Sequence, residues 1–285
     1  MTKSFLEGKI QSVFDDFEQE RWCSLNTNGF SYENYQSKVN QQKYIIKYYG
    51  AYFCELYGMF KKFLNSYSGN ELNILSIGCG SGVDCEALNR ACIDSNRTID
   101  KKYLGIDIVN WHYRPDFNWS SFKTINADTI ISSDVEDIDL FVFPKSLTEL
   151  SIKTREHIGY IIASCSKKDT IHIINTYVTN YPANPNNVDG ISQFGTIHDA
   201  LNNNTWTCTS DPTEYYYKEN GGWLGYNFDF FKIPDEVPEF VSELKDSCNN
   251  HNNSKDCIDC NIDFQPILNS RYLAYNLLMY TRSEE

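Results

Sequence analysis

The sequence predicts an α/β fold, doubly wound about a mostly parallel sheet that ends in an antiparallel strand, with a helical annex at the amino terminus. Three observations lead there. An apolar run from Ile74 to Ile77 feeds directly into Gly78, Gly80 and Gly82. Glycines at such a bend supply backbone angles that other residues resist, and they let a ligand touch the main chain. A second apolar strand, 103–108, carries Asp107 at its tip, 25 residues beyond Gly82; that is the length of one helix, a loop and a strand, so the two form a βαβ unit. Near the carboxyl end, 226–233 alternates in polarity and 272–280 is a buried apolar run, which together read as a closing antiparallel pair.

The elements before the glycines are helical. Residues 3–19 place Phe5, Ile10, Val13, Phe14 and Phe17 at helical spacing, with Trp22 and a loop at 26–29 closing the segment. From 42 to 64 a second stripe runs through Ile45, Tyr49, Tyr52, Phe53, Leu56, Phe60 and Phe63. Gly50 and Gly58 interrupt it with poor helix formers. Lys38, Lys43, Lys47, Lys61 and Lys62 face only Glu33 and Glu55 between residues 32 and 65, so the annex is locally basic, as a solvated helix face or as a lid touching substrate. The expected division is a helical cap over 1–70 and an α/β domain over 71–285 with an insertion at 234–270.

The glycine turn points to a nucleoside. A dinucleotide fingerprint wants a third glycine at position 83 or 85, where this chain has Val83 and Cys85, so a nicotinamide enzyme is disfavoured. Two further segments follow in order, 124–128 ending in Asp128 and the strand 139–144 containing Phe143. Together with the glycines and Asp107 they resemble the motifs of the class I S-adenosylmethionine-dependent methyltransferases, across residues 74 to about 178, roughly a third of the chain.

The resemblance implies a seven-stranded sheet with an antiparallel C-terminal strand, S-adenosyl-L-methionine as cofactor, and a cofactor site at Ser76, Gly78, Gly80, Gly82, Asp107, Ile108, Asp128 and Phe143. In such a site the acid at the second strand holds the ribose hydroxyls, and the third motif contacts adenine. Ser76 stands where the family usually carries Asp or Glu, an acid that helps hold the methionine end of the cofactor. The implied activity is methyl transfer to an acceptor that is a small molecule, a nucleotide or a protein. A protein of the same fold that binds the cofactor without turnover is the alternative.

Past the fourth strand, Ser146 with Glu149 three residues later reads as a capping box that starts a helix. Lys145 beside it either holds an anionic substrate or points into water. His198 is the best placed histidine for a general base, because the segments beyond the fifth strand line the acceptor pocket in the resembling family. The carboxylates between Asp134 and Asp139 lack the spacing of a calcium loop and read as a solvated turn. In the insertion, Cys248, His251, Cys257 and Cys260 form two ligand pairs, each spaced by two residues, that suit a tetrahedral structural zinc; a polar loop holding cysteines by chance is the other reading.

The formal charge of −13 disfavours binding to long duplex nucleic acid, since phosphate contacts need clustered Lys and Arg. No apolar run approaches the ~20 residues of a membrane span, and the amino terminus lacks a signal-peptide core. A cytoplasmic protein is expected, its oligomeric state unspecified by sequence.

Overall fold

The computed structural model describes residues 2–17, 32–178, 189–210, 216–217, 234–247 and 273–283. Two compact units divide the chain, one taking in Met1–Cys54 and Phe228–Asn269, the other Glu55–Asn227 and Ser270–Glu285.

In the first unit the helix α1 (Thr2–Asp15) buries Leu6, Ile10, Val13 and Phe14, the stripe its spacing predicts. A short α2 (Tyr32–Tyr35) precedes α3 (Lys38–Ser66), one continuous 29-residue helix despite Gly50 and Gly58. The buried face of α3 keeps apolar side chains stacked at helical intervals, and that packing outweighs the ~1 kcal/mol cost of each glycine. Ile45, Tyr49 and Phe53 are buried on its first half, and Gln42 donates to the Asp16 carbonyl at 2.7 Å. A further helix, α8 (Glu236–Ser247), buries Val237 and sets Phe240 edge-on to Phe14, with ring centroids 5.7 Å apart. The lysines of the annex do not form an open basic face. Lys43 has no exposed surface, Lys38 pairs with Asp16 at 2.9 Å, and Lys47 lies against the Tyr48 ring with burial lowering its pKa.

The second unit alternates strand and helix. In chain order it holds β1 (Glu71–Ile77), α4 (Val83–Asp94), β2 (Asp100–Asp107), β3 (Ser120–Thr124), α5 (Ser132–Val135), β4 (Leu140–Pro144), α6 (Ile152–Cys165), β5 (Thr170–Val178), α7 (Asp189–Asn202), β6 (Trp206–Cys208), β7 (Tyr216–Tyr217) and β8 (Leu273–Arg282). The strands lie in the order β3-β2-β1-β4-β5-β8-β6, with β7 also paired to β8. All pairings from β3 to β5 are parallel, whereas β8 runs antiparallel to β5 and to β6. Leu140, Phe141, Val142 and Phe143 have no exposed surface, as a strand covered on both faces requires.

The edge position beyond β8 belongs to Trp206–Cys208, which sequence pattern did not mark as a strand. Three residues are too few for a period. Trp206 anchors them, with 2% exposure and its indole N–H donating to the Ala163 carbonyl at 3.0 Å. The segment 226–233, expected as the partner of the last strand, lies outside the described residues. The acidic stretch is held more closely than a solvated turn: Asp134 pairs with Lys123 at 2.7 Å, Glu136 with Lys167 at 2.6 Å and Asp139 with Lys168 at 2.8 Å. Among the described residues no helix is long and apolar enough to cross a membrane.

Because Trp206 fills the core and its N–H is satisfied there, Trp206→Ala should cost about 3 to 5 kcal/mol. The control Ile152→Ala, at a side chain 62% exposed, should stay within about 0.5 kcal/mol. Urea unfolding of the two variants checks both.

Candidate cofactor site

Parallel strands bring their carboxyl ends to one edge, and the order reverses between β1 and β4; that reversal opens a crevice at the edge. The turn after β1 lies there. Gly78, Gly80 and Gly82 all have positive φ, at 72°, 54° and 72°. Their surroundings separate their roles. A Cβ on Gly78 would stand 2.3 Å from the Ser146 Cβ, so Gly78 exists to let the turn pack against the segment after β4. Around Gly80 the nearest atoms to such a Cβ belong to the Trp111 ring at 3.7 Å and beyond. That is ordinary contact without a clash, so it is the left-handed backbone and not crowding that calls for glycine at position 80.

Asp107, at the tip of β2, holds this turn. Its Oδ2 accepts the Gly80 N–H at 2.8 Å and its Oδ1 the Val109 N–H at 2.8 Å. Burial raises the Asp107 pKa, opposed by those two amides, by the Arg114 charge and by the Trp111 side chain. Arg114 completes the arrangement, donating from Nε to the Gly80 carbonyl at 3.2 Å and from Nη2 to the Val109 carbonyl at 3.0 Å. Neither Arg114 nor Trp111 was singled out from sequence. The signal available was faint: Arg114 is the only Lys or Arg between residues 103 and 122.

The remaining expected residues fall in three groups. Ile108, next to Asp107, exposes 47% of its surface, an apolar side chain left open at the crevice where an adenine ring can lie on it. Asp128 sits exposed in a short 3-10 turn whose N-cap, Asn126, accepts the Asp128 N–H at 3.1 Å. Ser76 and Phe143 are fully buried, so Phe143 can offer a ligand only its main chain.

Around β4 the structure corrects the reading. Ser146 stands before a short 3-10 helix, Leu147–Glu149, but its side chain does not cap it; the hydroxyl instead donates to the Ile77 carbonyl at 2.5 Å and ties β1 to the segment after β4. Helix α6 starts five residues later at the Ser151 cap, whose Oγ accepts the Thr154 N–H at 3.1 Å. Glu149 is thus free of a capping role, and its pKa is raised by burial and by the Asp107 charge. Lys145 neither points into water nor stands open to an anion. Its ammonium lies 2.6 Å from the Glu55 carboxylate of α3, with the lysine side chain 12% and the glutamate 2% exposed. Lys145 also adopts a φ of 62°, a left-handed conformation costly for a residue with a Cβ.

His198 is remote from this edge. Its Nδ1 lies 2.7 Å from the Tyr280 hydroxyl and its Nε2 2.7 Å from Asn202. Tyr280 pairs in register with Ile171 at the start of β5, the sheet edge opposite to the glycine turn. A base acting on a methyl acceptor is not placed there. The zinc ligands Cys248, His251, Cys257 and Cys260 lie outside the described residues.

No family model matches the chain, and no curated protein does. Among solved structures, it is similar to the plantazolicin methyltransferase BpumL in complex with a monoazolic desmethylPZN analog and SAH, at 15% identity and a TM-score of 0.43, covering 99% of this chain and 98% of that one. It is similar to Haemonchus contortus phosphoethanolamine N-methyltransferase 2 at 9% identity and a TM-score of 0.45, covering 87% of this chain and 58% of that one. The methyltransferase domain of bacterial CtHen1-C aligns at 9% identity and a TM-score of 0.42, covering 81% and 98%. Superpositions this loose carry no weight for chemistry or acceptor.

The two glycines should respond differently to a methyl group. Gly78→Ala adds a left-handed strain of about 1 to 2 kcal/mol and an overpacking cost of about 1 to 3 kcal/mol, whereas Gly80→Ala meets only the strain; urea unfolding should rank the two in that order. The fold itself follows from the sheet: seven strands in sequence β3-β2-β1-β4-β5-β8-β6, antiparallel at β8, with a glycine turn at the reversal, are the class I S-adenosylmethionine-dependent methyltransferase fold.

Proposed function

We propose that the chain binds S-adenosyl-L-methionine in the crevice between the glycine turn and Asp107 and transfers its methyl group to an acceptor at the ends of β4 and β5. The observation that carries this reading is Gly80: a left-handed glycine whose N–H is tied to an acid at the switch point of the sheet, with the Trp111 ring at contact distance beside it. In this arrangement Asp107 takes the ribose hydroxyls, Ile108 the adenine face and Gly80 the methionine portion. Asp128 fits the exocyclic amine of adenine, being exposed and beyond the end of β3.

The cofactor supplies a sulfonium-bound methyl group that is already activated. The chain's share is then alignment, holding donor and acceptor for in-line displacement, which is worth several kcal/mol without any dedicated base. Lys145 and Glu55 form a charged pair immediately after the end of β4, beside the proposed acceptor position. The acceptor belongs to the classes held locally, a small molecule, a nucleotide or a protein side chain, in preference to long duplex nucleic acid, in line with the charge of −13.

Calorimetry with S-adenosylhomocysteine tests the site. The parent chain should bind, while Gly80→Val and Asp107→Ala should each lose at least about tenfold, or 1.4 kcal/mol, the first by blocking backbone approach and the second by removing a charge-assisted hydrogen bond. Unchanged affinity in both variants would place the site elsewhere. Transfer of label from methyl-labelled cofactor in the presence of candidate acceptors then separates an enzyme from a binding protein.

A further inference from the structure

Beneath the glycine turn lies a buried carboxylate that no step described so far uses. Asp84, in the first turn of α4, has no exposed surface. Its Oδ2 accepts the Tyr103 hydroxyl at 2.9 Å. Its Oδ1 has no close hydrogen-bond partner among the described residues, and the Ser76 hydroxyl, also fully buried, lies near enough to the carboxylate to offset part of the effect of burial. A buried acid is costly to ionise unless a cation compensates it. Among the described residues no Lys or Arg forms an ion pair with Asp84: burial dominates its pKa, softened by Ser76, Tyr103 and the amides of Asp84 and Cys85. Arg114 acts on the neighbouring Cys79 and Asp107.

An uncompensated acid under a turn that bares its backbone suits a ligand that brings its own positive charge. We infer that Asp84 is a positioning residue whose negative charge, relayed through the Ser76 hydroxyl, holds the cationic amino-acid end of an S-adenosyl cofactor against the glycine turn. This rests on the cofactor reading proposed above. Position 76 carries a hydroxyl where the resemblance implies an acid on β1, and Asp84 returns the charge from the first turn of α4, eight residues further along the chain. Being fully buried, it acts through its field in a low-dielectric setting and not by direct contact.

The ligand arms of the test separate this role from a purely structural one. S-adenosylhomocysteine carries the α-ammonium, whereas 5′-methylthioadenosine has the same nucleoside and sulfur without the amino-acid end. In calorimetry on the full chain, Asp84→Asn should weaken S-adenosylhomocysteine at least tenfold and leave 5′-methylthioadenosine within twofold. It should also leave the unliganded protein at least as heat-stable as the parent near neutral pH. The sign follows from the pKa of Asp84, raised from 3.8 to about 6: folding favours the protonated form, so the charged form weakens the folded state above that pH and an uncharged amide relieves it. Equal losses for both ligands, or no loss for either, would overturn the inference.

Should the variant fail to fold, the parent decides. As pH falls through about 6 and Asp84 is neutralised, affinity for S-adenosylhomocysteine should drop relative to 5′-methylthioadenosine; a constant ratio would overturn the role. The groups facing Asp84, namely Tyr103, Cys79 and Cys85, all have pKa values raised by burial and stay neutral over that range, while protonation of Asp107 affects the nucleoside common to both ligands. A parent that binds neither compound would overturn the cofactor reading itself, a different result from a parent that binds both and a variant that does not discriminate.

Discussion

The grip of Asp107 on the Gly80 amide is the interaction on which the rest of the site depends. A glycine turn alone is loose, because glycine loses more freedom on folding than any other residue. One carboxylate joining the Gly80 and Val109 amides at 2.8 Å each, with Arg114 bonded to the carbonyls of the same two residues, fixes the turn to the end of β2 from both sides of its peptide units. The Ser146 hydroxyl on the Ile77 carbonyl fixes it from the β4 side. The switch point between reversed strands thereby becomes a defined surface, with Gly80 held at its centre beside the Trp111 ring.

Charge is concentrated at this edge at some cost to stability. Lys145 and Glu55 are desolvated together in a pair whose attraction offsets its dehydration only with good geometry. Lys145 adds backbone strain to that. Asp84 has no ion-pair partner among the described residues, and Glu149 lies near enough to Asp107 for its pKa to rise. Local violations of good packing chemistry gather where function is required, and here they surround one turn. The opposite sheet edge is quieter: His198 is bonded on both nitrogens, to Tyr280 and Asn202.

Much of this was legible in the sequence because it rests on local pattern. The glycine turn, the acid 25 residues on, the stripes of α1 and α3 and the apolar run of β8 are each spelled out by adjacent residues. What escaped depends on contacts distant in sequence. Ser146 and Glu149 have capping-box spacing, yet the hydroxyl finds the Ile77 carbonyl, 69 residues away, and the helix waits for Ser151. The annex lysines look like a basic face in one dimension, yet Lys43 is buried and Lys38 is paired. Lys145 looked open because Glu55 lies 90 residues earlier, on another element. Asp84 was not singled out, since nothing local says that Tyr103 and Ser76 close over it.

The most direct measurement of the central claim is a crystal structure of the full chain grown with S-adenosylhomocysteine. The account predicts the ribose hydroxyls on the Asp107 carboxylate, the adenine over Ile108 and the homocysteine backbone against Gly80. A nucleoside bound away from the β1 and β2 ends, or lying there with its amino-acid end turned from the glycine turn, would contradict it.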